Sequence, residues 1–398
     1  MTTAGTRPGS MAAEAEQIEL QEGRYHRQEL ISWWDQERLE KARVVVVGAG
    51  ALGNELCKAL ALLGVGRLDI VDMDMIEHSN LARCVLFRDG DEGKLKAEVA
   101  ARAVSELNPG VTAVSYTRPV QQLGVGFLSE VDLVVAGLDS REARLWVGRS
   151  CRKMGVTWVD GAIEGLRGLA RVFLPEGACY ECTLGEADFA LLEQRRKCAL
   201  LSPQQMVTGM TPTNATTAAI IASTQAQEAV KILVGREDLL ALRNSAWIFS
   251  GETLDAYRVA YSEDPWCPAH DRYEPLQPYK MGASTTVLDL VNEAARQLGG
   301  ADAVVFEDDV VLSMRCHQCG TSHDVRRARV ALRPGDGECA RCGDALTLEA
   351  SSTFAAHDPM LTAPVVELGL PQCDVITVRS GGQRVHFVIA PELGEGQP

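Results

Sequence analysis

No run of about 18 to 20 apolar residues occurs in the 398-residue chain, so no membrane-spanning helix is expected. Basic charge is also in deficit. Only 39 Lys and Arg face 54 Asp and Glu, a formal net charge of -15 at pH 7. Phosphate surfaces attract basic ones, so this balance speaks against a general nucleic-acid or acidic-membrane binder, and any anionic ligand must find a local basic pocket. The start, MTTAGTRPGSMAAEAEQ, lacks the basic-then-apolar layout of a secretory leader, and cytoplasmic residence is the expectation. What is present is an apolar content of 46%, ample for buried cores, and twelve cysteines. Many of these sit in CxxC pairs of a long chain, which points to metal binding and thiol chemistry rather than a disulfide scaffold.

Residues 1–22 are small and acidic without an apolar period and read as a mobile tail. From Arg43 the pattern runs strand, glycine turn, helix, strand: RVVVV, GAGALG, NELCKALALLGVG, RLDIVD. KAEVAARAVSELN, VTAVSYT and VDLVVAGLD repeat the alternation, which predicts an α/β fold around a doubly wound, mostly parallel, Rossmann-like sheet. TWVDGAIEGLRGLARVFLP reads as two adjacent strands and ATTAAIIASTQAQEAVKILVG as a long buried helix. This first domain spans 23–270. The Pro- and Gly-containing stretch 271–283 reads as a linker, and 284–398 as a C-terminal α+β module that opens on the helix TTVLDLVNEAARQLG.

Gly48, Gly50 and Gly53 fit GxGxxG directly after an apolar strand and before a helix, where the backbone can approach phosphates and the helix N-terminus offers free amides. Asp72 ends the next strand about twenty residues on, where a carboxylate can take ribose hydroxyls. These features alone specify a nucleotide, and an NAD dehydrogenase also carries them. The residues that follow, DMDMIEHSNLARCVLFRDGDEGKLKAEVA, together with RYHRQE at 24–29 and GLDSREAR at 137–144, resemble the adenylation domain of the ubiquitin-activating enzyme superfamily. The likeness runs from about Arg24 to His270. The first two of these stretches look respectively like eukaryotic catalytic subunits and like homodimeric bacterial members.

The resemblance implies ATP and magnesium as cofactors. It places ribose on Asp72 within the Asp72–Asp74 motif, triphosphate on Asn80, Arg83 and Lys96, and magnesium beside Asp139. Arg27 would reach the nucleotide of a second subunit, so a homodimer is implied. Read singly, Arg27, Arg83 and Lys96 also fit solvated surface charges, and Asp139 fits a helix cap. Such cations suit adenylation, because carboxylate and triphosphate are both anionic and charge moves to departing pyrophosphate.

Cys179 and Cys182 in CYEC, with Cys267 and His270 in CPAH, match two ligand pairs of a tetrahedral zinc site. Cys316, Cys319, Cys339 and Cys342 form CHQC and CARC, each followed by glycine, a zinc-ribbon pattern with no evident catalytic need. Cys198 follows Arg195, Arg196 and Lys197, cations that would stabilise a thiolate, and lies where the superfamily carries its catalytic cysteine. Cys57, Cys84, Cys151 and Cys373 read as packing residues. The module's helix and its ending LGLPQCDVITV resemble a ubiquitin-fold domain.

The expected function is therefore ATP-dependent adenylation of a ubiquitin-like protein at its C-terminal glycine, then a thioester on Cys198 and transfer to a conjugating enzyme, with no nucleic-acid or membrane partner. A sulfur-carrier adenylyltransferase that stops at the adenylate, and a scaffold that binds modifier without turnover, are the alternatives.

Overall fold

The computed structural model describes residues 23–198, 212–333 and 335–391, and only the backbone of 193–198 and 391. The tail expected over 1–22 lies outside the described residues. The first sheet is built from β1 (Arg43–Val47), β2 (Arg67–Val71), β3 (Thr112–Tyr116), β4 (Leu133–Ala136), β5 (Trp158–Glu164), β6 (Arg167–Phe173), β7 (Ser245–Ser250) and β8 (Asp255–Ala260). Its order is β3-β2-β1-β4-β5-β6-β7-β8. Strands β3 to β5 in that order run parallel, and β6, β7 and β8 add antiparallel hairpin steps. This is the doubly wound α/β fold the sequence predicted.

Four consecutive valines in β1 are needed because helices cover both sheet faces. Val44 and Val46 enter one apolar cluster with Leu56, Leu60 and Ile221, while Val45 and Val47 enter the other with Val147 and Trp158. The first face carries α3 (Ala51–Leu63), α4 (Lys96–Leu107) and α7 (Ala215–Leu233); the second carries α5 (Arg141–Met154). Two short helices, α1 (His26–Glu29) and α2 (Gln36–Lys41), precede β1, and α6 (Glu186–Cys198) precedes the undescribed 199–211. Chain order reverses at β1, which has β2 on one side and β4 on the other. Open α/β sheets bind ligands beyond the strand C-termini at such a point.

The second sheet has the order β11-β10-β13-β14-β9, with β12 also on β10. These strands are β9 (Leu276–Met281), β10 (Ala303–Cys316), β11 (Ser322–Ala328), β12 (Leu346–Ala355), β13 (Val375–Ser380) and β14 (Gln383–Pro391). Helix α8 (Val287–Leu298) lays Val287, Leu290, Val291 and Ala294, one helical stripe, into their core. The stretch expected as a linker thus contains a strand. Pro278 argued against one, yet β9 is an edge strand, where a missing amide is tolerated, and Tyr279 and Met281 anchor it in the core. The two sheets abut closely. Val125 N donates to Asp374 Oδ1 at 3.4 Å, Lys153 Nζ pairs with Glu307 at 2.7 Å, and a Cβ on Gly124 would lie 2.6 Å from the Cys373 carbonyl. Among the described residues no helix is long and apolar enough to cross a membrane.

Candidate active site

The glycine loop joins β1 to α3, and its three glycines answer to different constraints. Gly48 has φ +91°, and a Cβ there would sit 2.8 Å from Gly137 O; a Cβ on Gly53 would sit 1.7 Å from Gly48 O. The fold itself forbids side chains at both. A Cβ on Gly50 would meet nothing within 4 Å, so that position is open above the N-terminus of α3, where unpaired amides gather.

Asp72 closes the other side of the loop. Its Oδ2 accepts from Ala49 N at 2.7 Å and its Oδ1 from Asp74 N at 2.8 Å. Burial lifts its pKa above the usual carboxylate value, partly offset by those amides and by the charge of Lys96. Lys96, first residue of α4, is largely buried and bonds Asp74 Oδ2 at 2.9 Å. Burial opposes its charge, but the Asp74 bond and the Asp72 charge outweigh this and hold the ammonium protonated.

Arg83 is half-buried and makes no side-chain hydrogen bond or ion pair among the described residues. The charges of Arg83 and Lys96 pull the Cys84 thiol pKa down and that of Asp72 pushes it up, while burial outweighs them. Asn80 turns inward: its Oδ1 accepts from Glu77 N at 3.0 Å and caps its own turn. Asp139 does not cap α5. Ser140 does, its Oγ accepting from Ala143 N at 3.2 Å, and Asp139 stays exposed just before the helix.

Asn54 was missed in the sequence. Fully buried, it donates from Nδ2 to Ala49 O at 2.6 Å and accepts at Oδ1 from Leu86 N at 2.9 Å. It thereby ties the glycine loop to the segment carrying Arg83. An asparagine inside the apolar face of α3 was the available signal, since a buried amide must find partners.

Arg27 stands apart. Helix α1 is held against the far end of α3, where Gln28 Nε2 donates to Leu62 O at 3.4 Å. The 13 residues of α3 place that end about 20 Å from Gly50. Cys198 ends α6, and its side chain lies outside the described residues.

Both cysteine clusters assemble. Cys179 Sγ lies 3.7 Å from Cys182 Sγ and 3.6 Å from Cys267 Sγ, and Cys182 Sγ lies 3.3 Å from His270 Nε2. In the ribbon, Cys316 to Cys342 and Cys319 to Cys339 are both 3.5 Å. In each cluster the four donors lie within 4.8 Å of one another. Disulfides are excluded by these separations, whereas sulfurs bound tetrahedrally to zinc at about 2.3 Å stand about 3.8 Å apart. The donor sets fit zinc. His270 Nδ1 faces Glu263 at 3.4 Å, a carboxylate that orients the ring.

The Nedd8-activating enzyme E1 catalytic subunit of Drosophila melanogaster is 42% identical over 158 residues, 36% of this chain and 35% of that protein. The chain thus spans about a third of the length of that relative. The SAMP-activating enzyme E1 of Haloferax volcanii is 34% identical over 240 residues, 58% of this chain and 82% of that protein. Among solved structures, Escherichia coli MccB with ATP superposes with a TM-score of 0.53 at 22% identity, covering 64% of this chain and 75% of that one, a likeness of fold. The model of the ThiF family matches residues 24–269, from the start of α1 through β8 to the second ligand pair, so the chain belongs to the ThiF family.

Proposed function

We propose that the chain is an adenylyltransferase that activates the C-terminal carboxylate of a ubiquitin-like protein. One observation carries this: Lys96, ion-paired with Asp74 beside Asp72, stands at the rim of a glycine loop left open at Gly50, and Asn54 ties the segment that carries Arg83 to the same loop. A dehydrogenase has no need of two cations there. An adenylating site does, since three phosphates and an incoming carboxylate must be screened together.

In this reading ATP lies over Gly48, Gly50 and Gly53 with ribose on Asp72, and Lys96 and Arg83 hold its phosphates. Asp139 would hold a magnesium ion, which screens phosphate charge. A modifier carboxylate oxygen attacks the α-phosphorus, the bond to pyrophosphate breaks, and an acyl-adenylate forms. Asn80 contributes through the shape of the turn that presents Arg83. Cys198 then attacks the acyl carbonyl as a thiolate, AMP leaves, and a conjugating enzyme accepts the thioester. The C-terminal module, whose first strand β9 lies parallel to its last strand β14, would receive that enzyme.

Arg27 lies about 20 Å from its own glycine loop, beyond an arginine's reach, which supports a homodimer in which it serves the second copy's nucleotide. Thiolate metal sites suit a reducing compartment such as the cytoplasm.

The test is ATP–pyrophosphate exchange with candidate β-grasp proteins ending in glycine. Exchange should require the modifier, and Arg83→Ala should reduce it by about 100-fold or more without changing the melting temperature. Exchange at wild-type rate in that variant would remove Arg83 from the phosphate site.

A further inference from the structure

The residues Gly137 to Ser140 leave β4 and carry Asp139, yet Asp139 has no side-chain partner among the described residues to fix it. Its place is set by its neighbours' backbone. Below this loop lies a buried charge cluster that the proposed reaction does not use. Asp160 of β5, fully buried, faces two guanidiniums: Arg171 at 2.8 and 2.7 Å and Arg144 at 3.2 Å. Arg171 alone neutralises the carboxylate, so Arg144 adds a second buried cation that charge balance does not require. Burying an extra charge is costly, and a group that bears this cost needs another use.

That use is visible in its bonds. Arg144 lies one turn into α5 and leans back toward the helix N-terminus, as helical side chains do. Its Nη2 donates to the Leu138 carbonyl and, at 3.0 Å, to the Gly161 carbonyl, while Nε bonds Asp160. On the opposite sheet face Gln225 Nε2 donates to Ala136 O at 2.9 Å. The exit of β4 is therefore clamped at alternate carbonyls, with Ser140 capping α5 immediately after.

We infer that Arg144, seated on Asp160, is a positioning residue that locks the loop holding Asp139 and thereby sets metal affinity in the nucleotide site. This rests on the adenylation reading for the role of Asp139. Arg144→Met removes the donors but leaves Asp160 paired with Arg171, so no lone carboxylate is buried and the fold should persist. Arg144→Lys keeps the charge but cannot bridge two carbonyls and Asp160 together.

Hydrogen exchange and ATP titration, with and without magnesium, on the full chain test the inference. In both variants the amides that pin the two ends of the loop, Gly137 N on Val47 O and Ala143 N on Ser140 Oγ, should exchange faster, while those of β5 and α7 remain protected. The gain in ATP affinity that magnesium confers should shrink by about 10-fold or more, with magnesium-free ATP binding unchanged, the scale expected when a group behind a metal ligand is lost. Unchanged exchange at Gly137 and Ala143, or a loosened loop with full magnesium enhancement, overturns the inference, as does wild-type behaviour of Arg144→Lys. A wild-type chain that binds no ATP would instead overturn the proposed function, and exchange at Gly137 and Ala143 would still decide whether Arg144 holds the loop.

Discussion

At the scale of single residues, thiol chemistry separates the cysteines. Cys57 is fully buried, and burial pushes its thiol up to about 12; Cys84 is buried beside two cations, yet burial still pushes it up to about 11. Burial raises Cys151 as well. These remain protonated and packed at neutral pH and are poor nucleophiles. Cys198 is thus the residue to test for the thioester. Cys198→Ala should keep modifier-dependent pyrophosphate exchange, because adenylation needs only the phosphate-binding groups. The same variant should lose the adduct that wild type forms with ATP and modifier, seen on a non-reducing gel and dissolved by thiol. A persisting adduct would place the acyl group on another sulfur. The glycine loop and the CxxC pairs were legible residue by residue because their spacing along the chain is their geometry. Asn54, Arg144 and Asp160 were not, since each acts on residues that only folding brings near.

At the scale of elements, the two cysteine clusters tie different parts together. Cys179 and Cys182 follow β6, while Cys267 and His270 follow β8, so that cluster joins segments 88 residues apart at the antiparallel edge of the first sheet. The ribbon only extends β10, β11 and β12, whose other half is held by β13. Metal analysis should return two zinc ions per chain. Cys339→Ser should keep one zinc and full exchange activity, whereas Cys267→Ser should lower the melting temperature and the activity together. Equal damage from both would contradict this division.

The junction between the sheets yields a pH prediction. Burial, aided by the charge of Glu307, lifts Asp374 from 3.8 to about 7, and burial, aided by Arg384, lowers His386 from 6.5 to about 4. The native state binds the Asp374 proton more tightly than the unfolded chain, so this contribution is lost as pH rises from about 4 to 7. The native state resists protonating His386, so that contribution is lost as pH falls from about 6.5 to 4. The slopes oppose one another across nearly one window, and wild-type stability should vary little there. Asp374→Asn removes the first slope and keeps the acceptor for Val125 N, so its melting temperature should climb as pH goes from about 4.5 to 6.5. A flat or falling profile would show that His386 does not titrate as a buried group.

At the scale of the whole molecule, the position of Arg27 has a stoichiometric consequence. Arg27→Ala and Lys96→Ala chains should each be inactive alone, but mixed dimers would contain one complete site. A one-to-one mixture should recover about a quarter of wild-type exchange, since half the dimers are mixed and each has one working site. No recovery would put Arg27 outside the partner's site.

The sequence by itself determined the parallel sheet, the glycine turn and both clusters of sulfur donors, because strand period, glycine placement and cysteine spacing are properties of short stretches of chain. Tertiary structure alone decided that 276–281 joins a sheet, since its partner β14 lies more than a hundred residues on and supplies the pairing that Pro278 appeared to forbid. It also decided which charges are buried. Asp160 and Asp374 look like any surface carboxylate in the sequence, and become a brace and a titrating junction only because packing removes water from them and brings distant partners within hydrogen-bond distance.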